Sequence, residues 1–232
     1  MIYDAALIIA AGGSGTRFGR GNKLFTELDG IPLVIHSVRN LGILFPPECR
    51  IMAVPAEAEQ DFLEILQKYA PETPFRLIHG GANRTASVQN ALAAVPENVQ
   101  YAVIHDAARP LAAAELLQSV LATARETGGA VPGKAVADTI KRVDTEGFTS
   151  ETIPRDGVYA VETPQCFDIA RLRDAFRLFP DALTDDAGTM EAAGYPVKIV
   201  PNLHINLKLT TPGDLILLEN LIQTRKITGK TL

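Results

Sequence analysis

Short apolar runs alternate with longer stretches of helical spacing through the first half of this chain. Residues 4–10 (DAALIIA) predict a strand that is buried on both faces, because the apolar residues are continuous rather than alternating. Three further short runs predict strands of the same kind: 50–54, 75–79 and 101–105. Strands of this type are usual in parallel sheets that are covered by helices on both faces.

The stretches between these runs predict helices. Apolar residues recur at i, i+3, i+4 and i+7 from Val88 to Val95, which predicts a helix over 85–95. Because strands and helices alternate, the chain is expected to form an α/β fold with a mostly parallel sheet. Ligands of such sheets bind at the carboxyl ends of the strands. Two further helices are predicted in this half, at 57–69 and at 112–127 before Gly128.

The pattern changes after Gly129. Residues 136–143 and 149–154 predict two polar strands around a turn at 144–147, and so a hairpin arm over about 136–155. A polar two-stranded ribbon is marginal alone in water, so we expect it to lie against another surface. That surface is either a second subunit or the hairpin's own domain. The remaining elements are predicted as a strand at 158–161, helices at 169–179 and from 184, and a last helix opening at 211–214.

Composition narrows the function classes. The 232 residues carry a formal net charge of -5 and are 47% hydrophobic, which fits one globular domain over 1–232 and excludes a disordered chain. The acidic balance argues against nucleic acid as the main partner, since phosphate backbones attract basic surfaces. No apolar run reaches the roughly 18–20 residues of a membrane span, and the start lacks a basic signal region, so we expect a cytoplasmic protein. The two Cys and four His show no metal-binding spacing.

A glycine-rich segment after the first predicted strand carries the strongest sign of chemistry. Clustered glycines let backbone N–H groups approach an anion closely. Phe18 breaks the dinucleotide-binding pattern, and no register fits the P-loop. Arg17 and Lys23 suit a nucleoside triphosphate that is attacked at its α-phosphorus, whereas the alternative is a glycine turn with two solvated bases. The glycines concerned are Gly12, Gly13 and Gly15.

A second glycine segment, 80–87, joins the third predicted strand to a helix. Its glycine pair and the helix N-terminus offer N–H donors to an anion or to the edge of a base. The alternative is an ordinary loop in which Thr85 or Ser87 caps the helix.

Two later segments place charged residues at the ends of predicted elements. Asp106 ends the fourth strand, where it could hold Mg²⁺ or a substrate hydroxyl. Arg109 could equally be the ion-pair partner of Asp106, and His105 is expected to be a packed strand residue. Lys208 precedes the last helix, where it faces either the site or solvent.

Together these segments resemble the 2-C-methyl-D-erythritol 4-phosphate cytidylyltransferases of the non-mevalonate isoprenoid pathway. HDAARP at 105–110 and NLKLTTP at 206–212 are the specific motifs, whereas the glycine loop alone indicates a sugar-nucleotide transferase superfamily. The other matching segments follow in the family's order: AAGGSGTRFG at 10–19, NKLF at 22–25, GGANRTASV at 80–88, DTIKR at 138–142, ETPQ at 162–165 and TDDA at 184–187.

The resemblance implies a Rossmann-like three-layer sandwich of the GT-A-like nucleotidyltransferase type, with a protruding β-hairpin arm. It implies that CTP and a polyol phosphate give a CDP-polyol and pyrophosphate with Mg²⁺. Arg17 and Lys23 would stabilise the transition state, and Arg155 and Lys208 would hold the attacking phosphate. The residues that would receive the nucleotide are Ala10, Ala11, Gly12, Gly13, Gly15, Gly81, Arg84 and Ser87. Those that would bind the polyol are Asp106, Ala107, Arg109, Thr139, Thr163 and Thr184.

The resemblance also implies a homodimer in which the arm reaches over the neighbour's site, so that Thr139 and Arg155 serve the partner. Two alternatives stay open. A ribitol 5-phosphate cytidylyltransferase would share the cations and the arm. A non-catalytic nucleotide-binding module is disfavoured, because binding alone does not need Arg17 and Lys23 at the α-phosphate. An NAD-binding dehydrogenase is excluded by Phe18.

Overall fold

Apolar segments form the centre of the sheet in the computed structural model, which describes residues 1–12, 22–180 and 184–228. The strands are β1 Ala5–Ala10, β2 Glu27–Leu28, β3 Ile31–Pro32, β4 Arg50–Val54, β5 Arg76–His79, β6 Tyr101–Asp106, β7 Gly129–Ala135, β8 Ile140–Val143, β9 Thr149–Ile153, β10 Tyr159–Val161, β11 Gln165–Asp168 and β12 Lys198–Pro201. The α-helices are α1 Leu33–Ser37, α2 Glu59–Tyr69, α3 Arg84–Ala93, α4 Ala114–Thr127, α5 Ile169–Leu178, α6 Asp186–Ala192 and α7 Pro212–Thr228.

The main sheet is mixed. Its strands lie in the order β12, β7, β11, β6, β1, β4, β5, and β10 pairs with β7 beyond the end of β11. The pairings of β1 with β4 and β6, of β4 with β5, and of β7 with β12 are parallel. Strand β11 runs antiparallel to both of its neighbours. The predicted α/β fold is confirmed. The antiparallel strand β11, which follows the hairpin in the chain, lies between β7 and β6.

The central strands are buried on both faces, as their unbroken apolar runs predict. All five residues of β4 are buried, and Ala5–Ile9 of β1 are fully buried. Successive side chains of a strand point to opposite faces, so both faces must be covered, which gives three layers. The prediction is wrong for β5, which is half-exposed because it forms the edge of the sheet beyond β4.

The predicted helices are present within two residues of their expected limits. Gly128 ends α4 in the left-handed conformation at φ 88°, as the glycine pair predicts. The alternative in which Thr85 or Ser87 caps α3 does not hold: Asn83 is the N-cap residue, and its side chain accepts a hydrogen bond from the Ala86 N–H at 2.8 Å. The last helix begins within the predicted segment, and Asp214 in its first turn accepts hydrogen bonds from the N–H groups of Thr210 and Thr211.

The hairpin predicted over about 136–155 is formed by β8 and β9, which pair from Ile140 with Ile153 to Val143 with Thr149. It is a separate two-stranded sheet, and its residues are exposed or half-exposed. The hairpin is therefore not packed on its own domain. Its first strand begins at Ile140 rather than at 136. The preceding strand β7 escaped prediction because Gly129, Pro132 and Gly133 are poor strand formers.

None of the helices in the described part of the chain is both long enough and apolar enough to traverse a membrane. Cys49 and Cys166 are buried and unpaired with each other.

Candidate active site

A pocket of about 300 Å³ opens at the carboxyl ends of β1 and β6. This is the edge at which the sequence predicts ligand binding, because parallel strands end there together. Its described lining includes three cations and one carboxylate, a local excess of positive charge in an acidic protein. The lining residues are Ala10, Gly12, Lys23, Leu24, Ala82, Asn83, Arg84, Ser87, Asp106, Ala108 and Lys208.

The second glycine segment closes tightly around Ser87 at one side of the pocket. The Ser87 hydroxyl donates to the Asn83 carbonyl at 2.8 Å and accepts from the Gly81 N–H at 3.0 Å. A Cβ at Gly80 would lie 2.8 Å from Ser87 Oγ, and one at Gly81 would collide with Ala86. Both glycines are therefore required for this close approach, and Ser87 shapes the loop as well as lining the pocket.

Lys23 reaches the pocket from a short 3-10 helix, Lys23–Phe25. The Asn22 side chain caps that helix by accepting from the Leu24 N–H at 3.0 Å. The Lys23 ammonium donates to the Leu209 carbonyl at 3.3 Å. This contact ties the cation to the segment before α7.

Asp106 lies at the centre of the charged groups. Its Oδ1 accepts from Arg84 Nε at 3.0 Å, and its Oδ2 accepts from Lys208 Nζ at 2.6 Å. Burial alone would raise the pKa of Asp106, but the nearby cations Arg84, Lys208 and Arg109 together hold that pKa well below its usual range. Asp106 is therefore a carboxylate at neutral pH.

Arg84 bridges two carboxylates. Besides Asp106, its Nη1 lies 2.8 Å from Oδ2 of Asp186, a side chain that is 1% exposed. Burial alone would lower the pKa of Arg84, but the two carboxylates outweigh burial and raise that pKa above its usual value. Burial raises the pKa of Asp186, and Arg84 opposes that effect. The two carboxylates hold the guanidinium in place while Arg84 still lines the pocket, so its contact with a nucleotide stays a prediction.

The segment 206–210 is joined to the turn that follows β6 by a backbone bond and by the Arg109 side chain. The Leu209 N–H donates to the Ala108 carbonyl at 2.8 Å, which brings Lys208 beside Asp106. Arg109 donates to the Asn206 carbonyl at 2.8 Å. Arg109 forms no direct ion pair with Asp106 in the described structure and does not line the pocket.

Thr163 is buried rather than open to the pocket. Its exposure is 4%, and its hydroxyl is bonded to the Asp106 N–H and to His105. Ala107 is also fully buried, and Thr184 is exposed beside the segment 181–183. None of the three lines the pocket, so their predicted contacts with a polyol remain predictions.

Two predicted site residues stand on the hairpin arm. Thr139 and Arg155 are exposed, and neither lines the pocket of its own chain. Arg155 instead donates to the Ala137 carbonyl at the base of the hairpin. Three further predicted residues, Gly13, Gly15 and Arg17, lie outside the described residues.

Asp106 does not fit the metal role considered for it. Both carboxylate oxygens accept hydrogen bonds from cations, which would repel a divalent ion. Within residues 1–12, 22–180 and 184–228, no group of three or more His, Cys, Asp or Glu side chains could hold a metal ion.

The sequence reasoning missed Asp186 and Glu162. Both acids of the TDDA segment look alike as first-turn residues, yet Asp185 caps α6 while Asp186 turns inward to Arg84. Glu162 is buried, and its Oε2 accepts from Asn202 at 2.6 Å and Asn206 at 3.1 Å. Only the position of Glu162 in the ETPQ motif could have signalled it.

Comparison with known proteins gives a consistent result. A protein-family model described as 2-C-methyl-D-erythritol 4-phosphate cytidylyltransferase matches residues 5–224. Curated proteins of that name from Bacillus mycoides and Microcystis aeruginosa are 38% and 37% identical to this chain. The alignments cover 95% and 94% of the chain, and 98% and 99% of the relatives.

Solved structures agree with the sequence relatives. The crystal structure of 2-C-methyl-D-erythritol 4-phosphate cytidylyltransferase from Thermus thermophilus superposes with a TM-score of 0.78 at 30% identity. The superposition covers 94% of this chain and 98% of that one, so the fold is shared from end to end.

Proposed function

Because this chain belongs to the 2-C-methyl-D-erythritol 4-phosphate cytidylyltransferase family, we propose how its own residues carry out the family's reaction. The enzyme joins CTP and 2-C-methyl-D-erythritol 4-phosphate to give 4-diphosphocytidyl-2-C-methyl-D-erythritol and pyrophosphate. It is a nucleotidyltransferase of isoprenoid precursor biosynthesis. We propose that the whole chain is one domain with an arm at about 136–155.

The reaction needs positioning rather than a strong base. A phosphate monoester is largely a dianion at pH 7, so its oxygen can attack the α-phosphorus of CTP without losing a proton. The pyrophosphate then leaves from the opposite side of that phosphorus. Catalysis consists mainly of aligning two anions and neutralising the charge that grows on the phosphoryl oxygens.

The pocket supports distinct roles for its two lysines. Lys23 lines the pocket with Gly12 and would stabilise the α-phosphoryl group together with Arg17. Lys208 would bind the attacking phosphate, and Asp106 would hold Lys208 and accept a polyol hydroxyl. The observation that carries this proposal is that Lys23, Asp106 and Lys208 line one pocket although they come from three separate segments.

Backbone groups would receive the cytidine. The end of β1 supplies Ala10, Ala11 and Gly12, and the closed loop around Ser87 supplies Gly81. Donors and acceptors of the main chain can select a base edge without a dedicated side chain. Any divalent cation in the reaction would enter on the phosphates of CTP rather than on Asp106.

We propose that the enzyme is a homodimer and that the arm completes the partner's site. The hairpin exposes Val143 and Phe148 by 55% and 68%, and its two strands are not buried by any of the residues that the structure describes. Since Arg155 and Thr139 stand away from their own pocket, a partner's pocket is where they would act. An isologous contact would place one arm over each site.

The assignment is tested by measuring pyrophosphate release with CTP against a panel of acceptors. We expect turnover with 2-C-methyl-D-erythritol 4-phosphate and much weaker turnover with ribitol 5-phosphate or a hexose 1-phosphate. Preference for ribitol 5-phosphate would support the sibling enzyme. Absence of turnover with every acceptor, despite CTP binding, would support a nucleotide-binding module instead.

Mixing two inactive variants tests the shared site. If Lys23 of one subunit acts with Arg155 of the other, then Lys23→Ala and Arg155→Ala homodimers should both be nearly inactive. Random exchange of subunits should restore roughly a quarter of wild-type activity, since half the dimers are mixed and each has one intact site. Activity that stays at the level of the separate variants after verified exchange would contradict this arrangement.

A further inference from the structure

His105 is buried at the end of β6, immediately before Asp106, and the mechanism above gives it no part. Both ring nitrogens lie within hydrogen-bond distance of protein groups. Nδ1 is 3.0 Å from the Thr163 hydroxyl, and Nε2 is 3.2 Å from the Arg109 carbonyl oxygen. A buried imidazole needs a partner for each nitrogen, and here both partners belong to the surroundings of Asp106.

The chemistry of these partners determines where the protons lie. A carbonyl oxygen can only accept, so Nε2 of His105 must carry the hydrogen that it donates to Arg109. Burial lowers the pKa of His105 to about 4, so the ring is neutral and Nδ1 is an acceptor. Thr163 therefore donates its hydroxyl hydrogen to Nδ1, and its oxygen accepts the Asp106 N–H at 3.1 Å.

These bonds hold the turn 106–109 from inside the protein. The chain of donors runs from the Asp106 N–H through Thr163 to one side of the His105 ring, and from the other side of the ring to the Arg109 carbonyl. The same turn accepts the Leu209 N–H at Ala108. A shift of the turn would therefore displace Asp106 and disturb the segment that carries Lys208.

We propose that His105 is a positioning residue for the polyol phosphate site. Through Thr163 and the Arg109 carbonyl it fixes the turn 106–109, so that Asp106 stands where it can orient Lys208 and Arg84. It transfers no proton in the reaction, because it is fully buried and both of its nitrogens are occupied. The inference rests on the proposed function, which assigns Asp106 and Lys208 to the acceptor phosphate.

Two substitutions divide the contacts of the ring. In His105→Asn the amide oxygen can occupy the Nδ1 position and accept from Thr163, but the bond to Arg109 is lost. In His105→Gln the longer amide can donate to Arg109, but the acceptor for Thr163 is lost. We expect each variant to raise the KM for the polyol phosphate about 10-fold or more, since small displacements of a binding group are costly, and to change the KM for CTP less than about 2-fold.

A double-mutant cycle shows whether the ring acts through Thr163. Thr163→Val removes the hydroxyl at similar volume, so it should reproduce the effect of His105→Gln. The double variant, Thr163→Val with His105→Gln, should have a KM for the polyol phosphate close to that of either single variant, because both substitutions break the same hydrogen bond. Thr163→Ser keeps a hydroxyl and should recover most of the lost affinity. Fully additive effects, or equal changes in both KM values, would overturn the proposal.

His36→Gln is the matched control. The His36 ring is partly buried, and its Nε2 lies 2.8 Å from the Leu28 carbonyl oxygen, much as the His105 ring contacts the carbonyl of Arg109. His36 does not line the active-site pocket. We expect it to lower stability without raising the KM for the polyol phosphate. A selective rise in that KM for this control would overturn the special role of His105.

A substrate-independent measurement separates this inference from the proposed function. Nitrogen NMR of the wild-type ring should show a neutral Nε2–H tautomer at pH 7. An Nδ1–H tautomer or a charged ring would overturn the inference even in an active enzyme. If the wild-type enzyme turned over none of the acceptors, the proposed function would be overturned instead. The tautomer would then still show whether the hydrogen bonds run from Asp106 through Thr163 and His105 to Arg109.

Discussion

The pocket network, formed by Arg84, Asp106, Asp186 and Lys208, and the hairpin arm both contain charged side chains that pair with each other. The two regions differ in how far these side chains are exposed to solvent. In the first, Asp106 and Asp186 are 11% and 1% exposed, and Arg84 lies between them. On the arm, Arg142 and Glu151 form a pair with similar distances, but they are 65% and 54% exposed. Ion pairs of similar length therefore have very different consequences for folding.

The difference shows which charged groups must find their partners within the same chain and which can do without them. Buried charges without partners are strongly destabilising, so the pocket network must be satisfied by the chain itself. The arm's charges are solvated, and they add little to stability. The arm is thus free to present its apolar residues, among them Phe148, to another surface.

The largest expected effect is on catalysis, from removing a pocket cation. Lys23→Ala should lower kcat by about 10²- to 10³-fold, because it removes a charge aimed at the transition state. The matched change on the arm, Lys141→Ala, removes an exposed lysine that donates to the Thr152 hydroxyl across the hairpin. It should leave steady-state kinetics near wild type, and a similar loss in both variants would erase the distinction.

The next effect is on stability. Arg84→Met leaves the Asp106–Asp186 pair short of its shared counter-charge and should lower the free energy of unfolding by about 3–5 kcal/mol. Arg142→Met on the arm should cost only about 0–1 kcal/mol. Urea denaturation of the two variants measures both values. The double variant Arg84→Met with Asp186→Leu should recover part of the loss, which identifies the unpaired carboxylate as its cause.

The smallest effect is a dependence of the free energy of unfolding on pH that is caused by the buried His105. The pKa of His105 falls from an ordinary 6.5 to about 4, so the unfolded chain binds a proton between these values while the native chain does not. Stability should therefore fall as pH is lowered through this window, by on the order of 3 kcal/mol in total. His105→Gln should flatten the curve relative to wild type, whereas Arg142→Met should keep its slope. Parallel curves for His105→Gln and wild type would contradict the assignment.

The pattern of apolar residues was sufficient to predict β1, β4, β6 and most helices, because continuous burial and helical spacing are local properties. The same reasoning failed at β5, whose apolar run does not show that it is an edge strand. It also missed β7, because the glycines and Pro132 oppose a strand that pairing with β11 and β12 stabilises.

The candidate site divides in the same way. Lys23, Asp106 and Lys208 were predicted from segments at the ends of elements and do meet in one pocket. Arg84 was predicted as a nucleotide contact, but it is held by two carboxylates, one of them 102 positions further along the chain. Nothing local distinguishes Asp186 from Asp185, since both acids begin the same helix.

The sequence alone determined the alternation of strands and helices, the glycine segments and the family motifs. Each of these depends on neighbouring residues or on a shared ancestry. Only the tertiary structure decided which buried charges and hydrogen-bonding groups become partners, as with His105 and Thr163, 58 positions apart. Those pairings follow from sheet order and packing, which bring distant segments within about 3 Å of each other, the range that a hydrogen bond requires.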